Sequence, residues 1–337
     1  MATKLPSGNW RVNVLIGRDD KGKRLYKSFI APTKQEADLL ALQWRKEHRS
    51  DDKTGKTFAQ AAKDFADLNA HTLSPSTLKG YDKMRRMLQN EYLKFYSTPV
   101  ASIDKNALQA IVNNLAATHA PKTVRNYHAY IGTVLRSAGI TPPEVNLPQK
   151  KKPQYNIPDE ATLTRVFEAS KGTEWEVPVL LGAIVPMRRG EICGASLDDL
   201  SDDNVLHIHT SAVEDVDGNV VEKTTKTVES DRYVELPAAV ADKIREQGYI
   251  CNIDLTQFSK YFGRFLARNG FKHFRFHDLR HAFVSISHAA GIPDAYIMAR
   301  GGWATPFTVT NVYRHVLDSD RKKAEKTVND TFTGLLP

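Results

Sequence analysis

Residues 276–281 read Phe276-His277-Asp278-Leu279-Arg280-His281. This stretch predicts a helix that presents histidine and arginine side chains on one face. His277 and Arg280 are three residues apart and share that face. His277 and His281 are four apart, which also suits a metal pair, but no glutamate stands beside the first histidine and no third ligand is near in the sequence. A metal site is therefore not expected. A lone histidine is more often structural, so the stretch has to be interpreted with the motifs before and after it.

The motif before it is Pro186-Met187-Arg188-Arg189-Gly190-Glu191-Ile192. It follows an apolar helix and predicts a tight turn that delivers arginines to the start of the next helix. Arg188 at such a turn can direct a planar guanidinium at a phosphate, and Glu191 can accept hydrogen bonds that fix the turn. Taken alone, the motif fits an ordinary surface turn better than a functional site.

The motif after it begins with Gly301-Gly302-Trp303 and ends with Asn311-Val312-Tyr313. The paired glycines permit a turn, and Thr305-Pro306 can open a short helix that ends near Tyr313. The chain has 12 tyrosines, and a random tyrosine usually serves packing. Tyr313 stands out because it follows the other two motifs.

The overall composition favours two or three domains outside a membrane. The chain has 337 residues, of which 41% are apolar, and it contains no run near the roughly 20 apolar residues that a membrane span needs. The N-terminus lacks the apolar core of a signal peptide. Only two cysteines occur, Cys193 and Cys251, which favours a reducing compartment without a disulfide scaffold, so a cytoplasmic protein is expected. The net charge of +8 fits a polyanionic partner.

The first 50 residues predict a small basic β-ribbon with one helix. Segments 10–16 and 24–29 alternate polar and apolar residues around a glycine-containing loop, which predicts a hairpin and, for stability, a third short strand. Thr33 and Glu36 form a capping box for a helix over 34–49. Such a ribbon fits a DNA groove, although an undirected charged surface stays open. The DNA contacts predicted on its outer face are Arg11, Arg18, Lys23, Arg24 and Lys27.

Residues 57–140 predict an all-α bundle. Apolar residues recur at helical spacing in helices that begin at Thr57 and Ser74 and that cover 103–115 and 123–138. Lys122 and Arg125 are candidate phosphate contacts, but exposure to water is an equal alternative.

The remaining sequence predicts a mostly helical domain with a small antiparallel sheet. Helical patterns cover 159–171, 174–184, 238–248 and 255–269, and strand-like patterns cover 205–213 and 227–236. The fold class is therefore multidomain α+β. The expected segments are 1–50, 57–140, a proline- and lysine-rich linker at 141–158, 159–320, and a tail at 321–337.

The ordered motifs resemble a tyrosine recombinase of the phage integrase family. The order is Arg188, then Lys226 in a strand–turn–strand segment, then His277-x-x-Arg280, then Trp303 and Tyr313. The resemblance is strong over residues 155–320. The block at 57–140 is similar to the family's core-binding domain, and residues 1–50 resemble the arm-binding domain of many integrases.

The resemblance implies cleavage and rejoining of double-stranded DNA without a metal, a nucleotide or another cofactor. Arg188 and Arg280 would bind the nonbridging phosphate oxygens. Tyr313 would attack the phosphate, form a 3′-phosphotyrosyl link and release a 5′-hydroxyl. Lys226 would protonate that leaving oxygen, and His277 would assist proton transfer or hydrogen-bond the phosphate.

The sequence departs from the family at position 303, where histidine is more frequent. An indole N–H can donate one hydrogen bond but cannot shuttle a proton, so Trp303 is expected to be a packing and hydrogen-bonding neighbour. Lys223 is an alternative to Lys226 as the acid, although Lys226 fits the family spacing better. Glu191 and Asp199 also match family positions and are assigned to structure.

The biological role implied by the resemblance is integration or excision of a mobile element in a bacterial host. The partners would be core and arm attachment sites bound by a homotetramer, with a directionality factor and a host DNA-bending protein as accessory proteins. The alternatives are a chromosome-dimer resolvase, which usually lacks an arm domain, a type IB topoisomerase, and a DNA-binding regulator without chemistry. The tail after Asp318 packs on its own domain or docks on a neighbouring protomer, and its apolar end favours docking.

Overall fold

A computed structural model describes residues 2–18, 24–47, 55–150, 155–224, 228–307, 309–310 and 333. The chain divides into two compact units. One comprises Met1–Leu73 and Tyr81–Lys151, and the other comprises Ser74–Gly80 and Lys152–Pro337. The finer division into five segments remains a prediction.

The N-terminal segment is an antiparallel sheet covered by one helix. Strands β1 (Thr3–Lys4), β2 (Trp10–Arg18) and β3 (Arg24–Ala31) lie in the order β1-β2-β3, and α1 spans Lys34–Glu47. Val12, Val14 and Ala31 are buried together with two alanines of α1, because alternate strand residues point to the same face. The predicted hairpin and third strand are confirmed.

The predicted capping box at the start of α1 is also confirmed. The Thr33 N–H donates to Glu36 Oε2 at 3.3 Å, and the Glu36 N–H donates to Thr33 Oγ1 at 3.3 Å. These two bonds satisfy N–H groups that have no partner within the helix.

The predicted position of Lys27 is wrong. Lys27 pairs with the buried Val14, so the two side chains share the face that α1 covers. The Lys27 Nζ lies 5.0 Å from the ring centroid of Trp44 in α1. Arg11 pairs with Ile30 on the opposite, outer face. Lys23 and the side chains of Arg18 and Arg24 lie outside the described part of the chain.

The helical segment contains α2 (Phe58–Leu68), α3 (Pro75–Glu91), α4 (Leu93–Tyr96), α5 (Lys105–Thr118) and α6 (Pro121–Ser137). Its core includes Phe58, Leu108 and Ile131, each fully buried. The third predicted helix begins two residues later than expected because Asp104 is its N-cap, whose carboxylate accepts from the Ala107 N–H at 2.8 Å.

The second unit carries seven described helices after residue 155. They are α7 (Glu160–Ser170), α8 (Glu176–Ile184), α9 (Arg189–Gly194), α10 (Ala238–Gln247), α11 (Phe258–Arg268), α12 (Asp278–Ala289) and α13 (Asp294–Gly301). The apolar faces of α7 to α12 share one core, in which Trp175 packs against three phenylalanines of α11. Ile297 of α13 packs instead in a smaller cluster with Val284 and Trp303. In the described part of the chain, no helix is long and apolar enough to cross a membrane.

The strand prediction for this unit needs correction. The segment 205–213 is two strands, β4 (Val205–Ile208) and β5 (Thr210–Glu214), and the segment 227–236 becomes a strand only in β7 (Arg232–Glu235). A further strand, β6 (Val220–Thr224), was not predicted. β4 pairs with β7 and β5 pairs with β6, so there are two separate two-stranded sheets instead of one. The chain changes partner after Ile208, which alternation alone does not reveal.

Candidate active site

Arg188 lies in the turn between α8 and α9, as the N-cap of α9. Its backbone N–H donates to Glu191 Oε2 at 2.9 Å, and its Nη1 donates to Glu191 Oε1. The Glu191 side chain is only 2% exposed, so an ion pair with a buried carboxylate fixes the turn. The predicted structural role of Glu191 is confirmed.

Glu191 is held as an anion by three arginines. Burial opposes its charge, but Arg232, Arg188 and Arg280 together keep the pKa of the Glu191 carboxyl below its ordinary value. Arg232 contributes a direct bond, because its Nη2 donates to Glu191 Oε2 at 3.0 Å. The Glu191 carboxylate therefore orients the guanidinium groups of Arg188 and Arg232.

Arg280, in α12, is a buried cation with unused donors. Its residue exposure is 1%. Its Nη2 donates to the Gly301 carbonyl at 3.0 Å, and its Cζ lies 4.5 Å from the ring centroid of Trp303. Its Nε and Nη1 are buried and bond to no other described residue. Burial and then the nearby Arg188 lower the pKa of Arg280 well below its ordinary value, yet a guanidinium stays protonated near neutral pH.

A glycine corner at the end of α13 brings the two arginines together. Arg188 Nη2 donates to the Gly302 carbonyl at 3.1 Å, next to the Gly301 carbonyl that Arg280 uses. Gly302 has φ +64°, the left-handed conformation that favours glycine. A Cβ on Gly301 would lie 1.9 Å from the Trp303 ring. The turn predicted at these glycines is confirmed, and neither position accommodates a side chain.

Two histidines flank the start of α12. His277 precedes its first residue, and its ring centroid lies 5.0 Å from that of His281. Desolvation lowers the pKa of both imidazoles to about 4, and the Arg280 charge reinforces the shift at His277. Both rings are therefore neutral near pH 7. His277 is exposed on one side, whereas His281 is 4% exposed and lies edge-on to Tyr155.

A basic groove of about 560 Å³ begins at Arg188 and His277. Arg189, His273 and Arg275 line its continuation. The Arg275 guanidinium is oriented by two bonds to the buried carboxylate of Asp278, at 3.1 and 2.7 Å. The groove therefore continues the positive charge of the candidate site along the surface.

Four of the six predicted catalytic residues are described: Arg188, His277, Arg280 and Trp303. Trp303 is 9% exposed and packs under the Arg280 guanidinium. The other two, Lys226 and Tyr313, lie outside the described residues.

Arg232 is a member of the cluster that the sequence analysis missed. It is 7% exposed and bonds to Glu191, to Ser230 and to Arg300. The alternation of β7 could have revealed it, because Arg232 and Val234 share the buried face of the strand.

The remaining DNA-contact candidates differ in their surroundings. Arg125 Nε and Nη2 donate to the Pro148 carbonyl at 3.0 and 2.8 Å, so this side chain also holds the segment after α6 in place. Lys122 is exposed in the first turn of α6. Arg11 is partly buried on the outer face of the N-terminal sheet.

Comparison with known families identifies the second unit. Residues 176–320 match the model described as the phage integrase family. This range includes the arginine cluster, the glycine corner and Tyr313. The chain therefore carries a tyrosine recombinase domain of the phage integrase family over residues 176–320. It is accordingly a tyrosine-type site-specific recombinase, as the resemblance implied.

Similar proteins support this family over most of the chain. A protein described as tyrosine recombinase XerC-like, from Caldanaerobacter subterraneus subsp. tengcongensis, is 23% identical and is matched over 96% of each chain. The Tn1549 transposon integrase in complex with transposon right end DNA has a TM-score of 0.64 at 16% identity, over 81% of this chain and 100% of that one. A lambda integrase tetramer bound to a Holliday junction has a TM-score of 0.59 at 15% identity, over 92% and 94%. These structural likenesses confirm the multidomain fold.

The lowered histidine pKa values predict acid sensitivity. An unfolded histidine titrates near pH 6.5, so between there and about pH 4 the unfolded chain binds more protons than the folded one. The free energy of unfolding should therefore fall as the pH falls from 7 to 5. The urea-unfolding midpoint should depend less on pH in His281→Gln than in wild type or in a variant of the exposed His71, His71→Gln. An unchanged pH dependence in His281→Gln would contradict this account.

Proposed function

We propose that this recombinase cleaves and rejoins DNA through Tyr313 to integrate or excise a mobile element. The observation that carries the proposal is the Arg280 guanidinium, which is buried beside Arg188 and keeps two N–H groups without a described partner. A desolvated cation with free donors is costly unless an anion binds it. A scissile phosphate supplies that anion with oxygens that match planar guanidinium groups.

Charge is the main catalytic contribution in the proposed mechanism. A phosphodiester is anionic and repels a nucleophile, and further negative charge develops on its nonbridging oxygens during attack. Arg188 and Arg280 neutralise that charge from fixed positions. Because both side chains are already oriented, little reorganisation accompanies the reaction.

The bond changes follow from a tyrosine nucleophile. The Tyr313 phenol loses its proton to His277 or to solvent as its oxygen attacks phosphorus, the bond to the 5′ oxygen breaks, and Lys226 protonates that oxygen. The neutral ring of His277 can exchange a proton or hydrogen-bond the phosphate, whereas Trp303 can only donate and pack. The 3′-phosphotyrosyl link is itself a phosphodiester, so a 5′-hydroxyl can reverse the step without ATP.

Integration or excision is favoured by the N-terminal sheet, which presents Arg11 on a face not covered by α1. A second DNA-binding segment would let one protomer bridge arm and core sites. Chromosome-dimer resolution remains the second candidate, because the XerC-like relative is matched over 96% of both chains. Deletion of residues 1–50 distinguishes an integrase from a resolvase. An integrase should lose recombination that depends on arm sites while retaining core-site cleavage. A resolvase should retain both recombination and cleavage at its core site.

Assembly as a homotetramer on DNA is part of this proposal. The lambda integrase structure is a tetramer bound to a Holliday junction. An apolar groove of about 480 Å³ on the second unit, bordered by Leu163, Phe283, Ile286 and Ile292, has a surface suited to an apolar segment. We assign the C-terminal tail of a neighbouring protomer to this role; apart from residue 333, the tail lies outside the described residues.

The nucleophile is tested by trapping the covalent intermediate. A nicked core-site duplex, with the site identified at the boundary of the integrated element beside the coding gene, should give an SDS-resistant adduct with the wild-type protein. Tyr313→Phe should give none, because it lacks the attacking oxygen. Tyr249→Phe, which alters an exposed tyrosine outside the site and the apolar groove, is the matched control and should react normally. No adduct in wild type, or an equal amount in Tyr313→Phe, would defeat the assignment.

The basic groove predicts a salt-dependent contribution of Arg275 to binding. The slope of log affinity against log salt is negative, and if Arg275 neutralises one DNA phosphate, Arg275→Gln should reduce the magnitude of that slope by about 0.9. Arg245→Gln, at an exposed arginine of α10 outside the groove, should leave the slope unchanged. Fluorescence anisotropy over a salt series measures both. Identical slopes for Arg275→Gln and wild type would remove Arg275 from the interface.

A further inference from the structure

Arg232 is a buried cation that the proposed chemistry does not use. Its side chain is 6% exposed, and all three of its nitrogens donate to neighbouring oxygens. Nε bonds to the Arg300 carbonyl at 2.9 Å, Nη1 to the Ser230 carbonyl at 3.0 Å, and Nη2 to Glu191 Oε2 at 3.0 Å. Removing Arg232 alone would leave its buried partner Glu191 with an uncompensated charge, which is unfavourable.

We propose that Arg232 is a positioning residue for DNA cleavage, which keeps Arg188 directed at the scissile phosphate by occupying one oxygen of Glu191. The inference rests on the proposed function of the arginine cluster and adds to it a residue that would not touch the DNA. Its effect would pass through the Glu191 carboxylate and through the glycine corner.

The Glu191 carboxylate is divided between two guanidinium groups. Oε1 accepts from the Arg188 side chain, and Oε2 accepts from Arg232 and from the Arg188 backbone N–H. Without Arg232, Oε2 would be a buried anionic oxygen with unused acceptor capacity, which is unfavourable. The nearest guanidinium able to fill it is that of Arg188. Pairing with both oxygens would draw Arg188 Nη2 away from the Gly302 carbonyl and from a bound phosphate.

The two carbonyl contacts extend the same role to the glycine corner. The Arg300 carbonyl immediately precedes Gly301 and Gly302, whose own carbonyls accept from Arg280 and Arg188. Arg232 also lies close to Gly302, since a Cβ on Gly302 would lie 3.0 Å from Arg232 Nη1. Arg232 therefore links the carboxylate that orients Arg188 to the corner on which both arginines rest.

The test separates the rate of the chemical step from DNA affinity and from folding. Arg232→Met removes all three bonds at similar volume, and Arg232→Lys keeps a charge for Glu191 but cannot reach all three oxygens. Arg245→Met is the control, since Arg245 donates to the Ser201 and Asp202 carbonyls at the surface of the same unit. Adduct formation on the nicked core site is followed in a single turnover at saturating protein, and the Kd for the same DNA is measured separately.

A positioning role predicts a lower rate constant at nearly unchanged affinity. Arg232→Met should slow adduct formation by about tenfold or more, since misdirected catalytic groups lose rate without losing binding. Arg232→Lys should lie between Arg232→Met and wild type, and Arg245→Met should match wild type. The Kd should stay within about threefold throughout.

Several results would overturn the inference. A wild-type rate constant with a smaller adduct amplitude would mean that Arg232 only maintains the folded fraction, and a rate loss explained by weaker DNA binding would make it a binding residue. If Arg232→Met does not fold, Arg232→Lys decides, and a wild-type rate constant in that variant counts against positioning. Absence of any adduct in wild type would instead overturn the proposed function.

Discussion

The site depends on the burial of the Arg280 guanidinium, which lies over Trp303 and has no carboxylate as a direct described partner. The three arginines of the cluster, Arg188, Arg232 and Arg280, surround one buried carboxylate, Glu191, so these four side chains carry two positive charges in excess. Charge in excess inside a protein is unfavourable. It becomes favourable when an anion binds, and more so when that anion gains negative charge in the transition state. The cluster is therefore better matched to a reacting phosphate than to an empty site.

The excess positive charge requires a rigid backbone around the arginines. The end of α13 supplies two successive carbonyls to Arg280 and Arg188, and the positive φ of Gly302 turns the chain sharply at this point. Tyr313 follows eleven positions after Gly302 in the sequence. In the proposed mechanism, the two arginines that bind the phosphate therefore depend on one short piece of backbone that precedes the nucleophile in the sequence.

Sequence patterns predicted features that are set by neighbouring residues. The capping box at Thr33 and the turn at Gly302 each depend on a few consecutive positions, and both were predicted. Features set by distant partners were missed. Lys27 is exposed but lies on the face of the sheet that α1 packs against, because it pairs with Val14 across the hairpin. The hydrogen bonds of Arg232 join it to partners 41 and 68 positions away. The arginine and histidine motifs were recognised from their order along the chain. The local periodicity of apolar residues carries no information about that order.

The most direct test of the central claim is the cleavage rate on a core site whose scissile phosphate is replaced by a neutral methylphosphonate. If Arg280 acts by neutralising a nonbridging oxygen, Arg280→Ala should slow cleavage of the phosphodiester by about a hundredfold or more, the order found when a preorganised donor to a developing oxyanion is removed. The same substitution should cost much less on the methylphosphonate, because the charge that Arg280 neutralises is absent. An equal loss on both substrates would contradict the account, because it would mean that Arg280 maintains the fold of the site without acting on the charge of the phosphate.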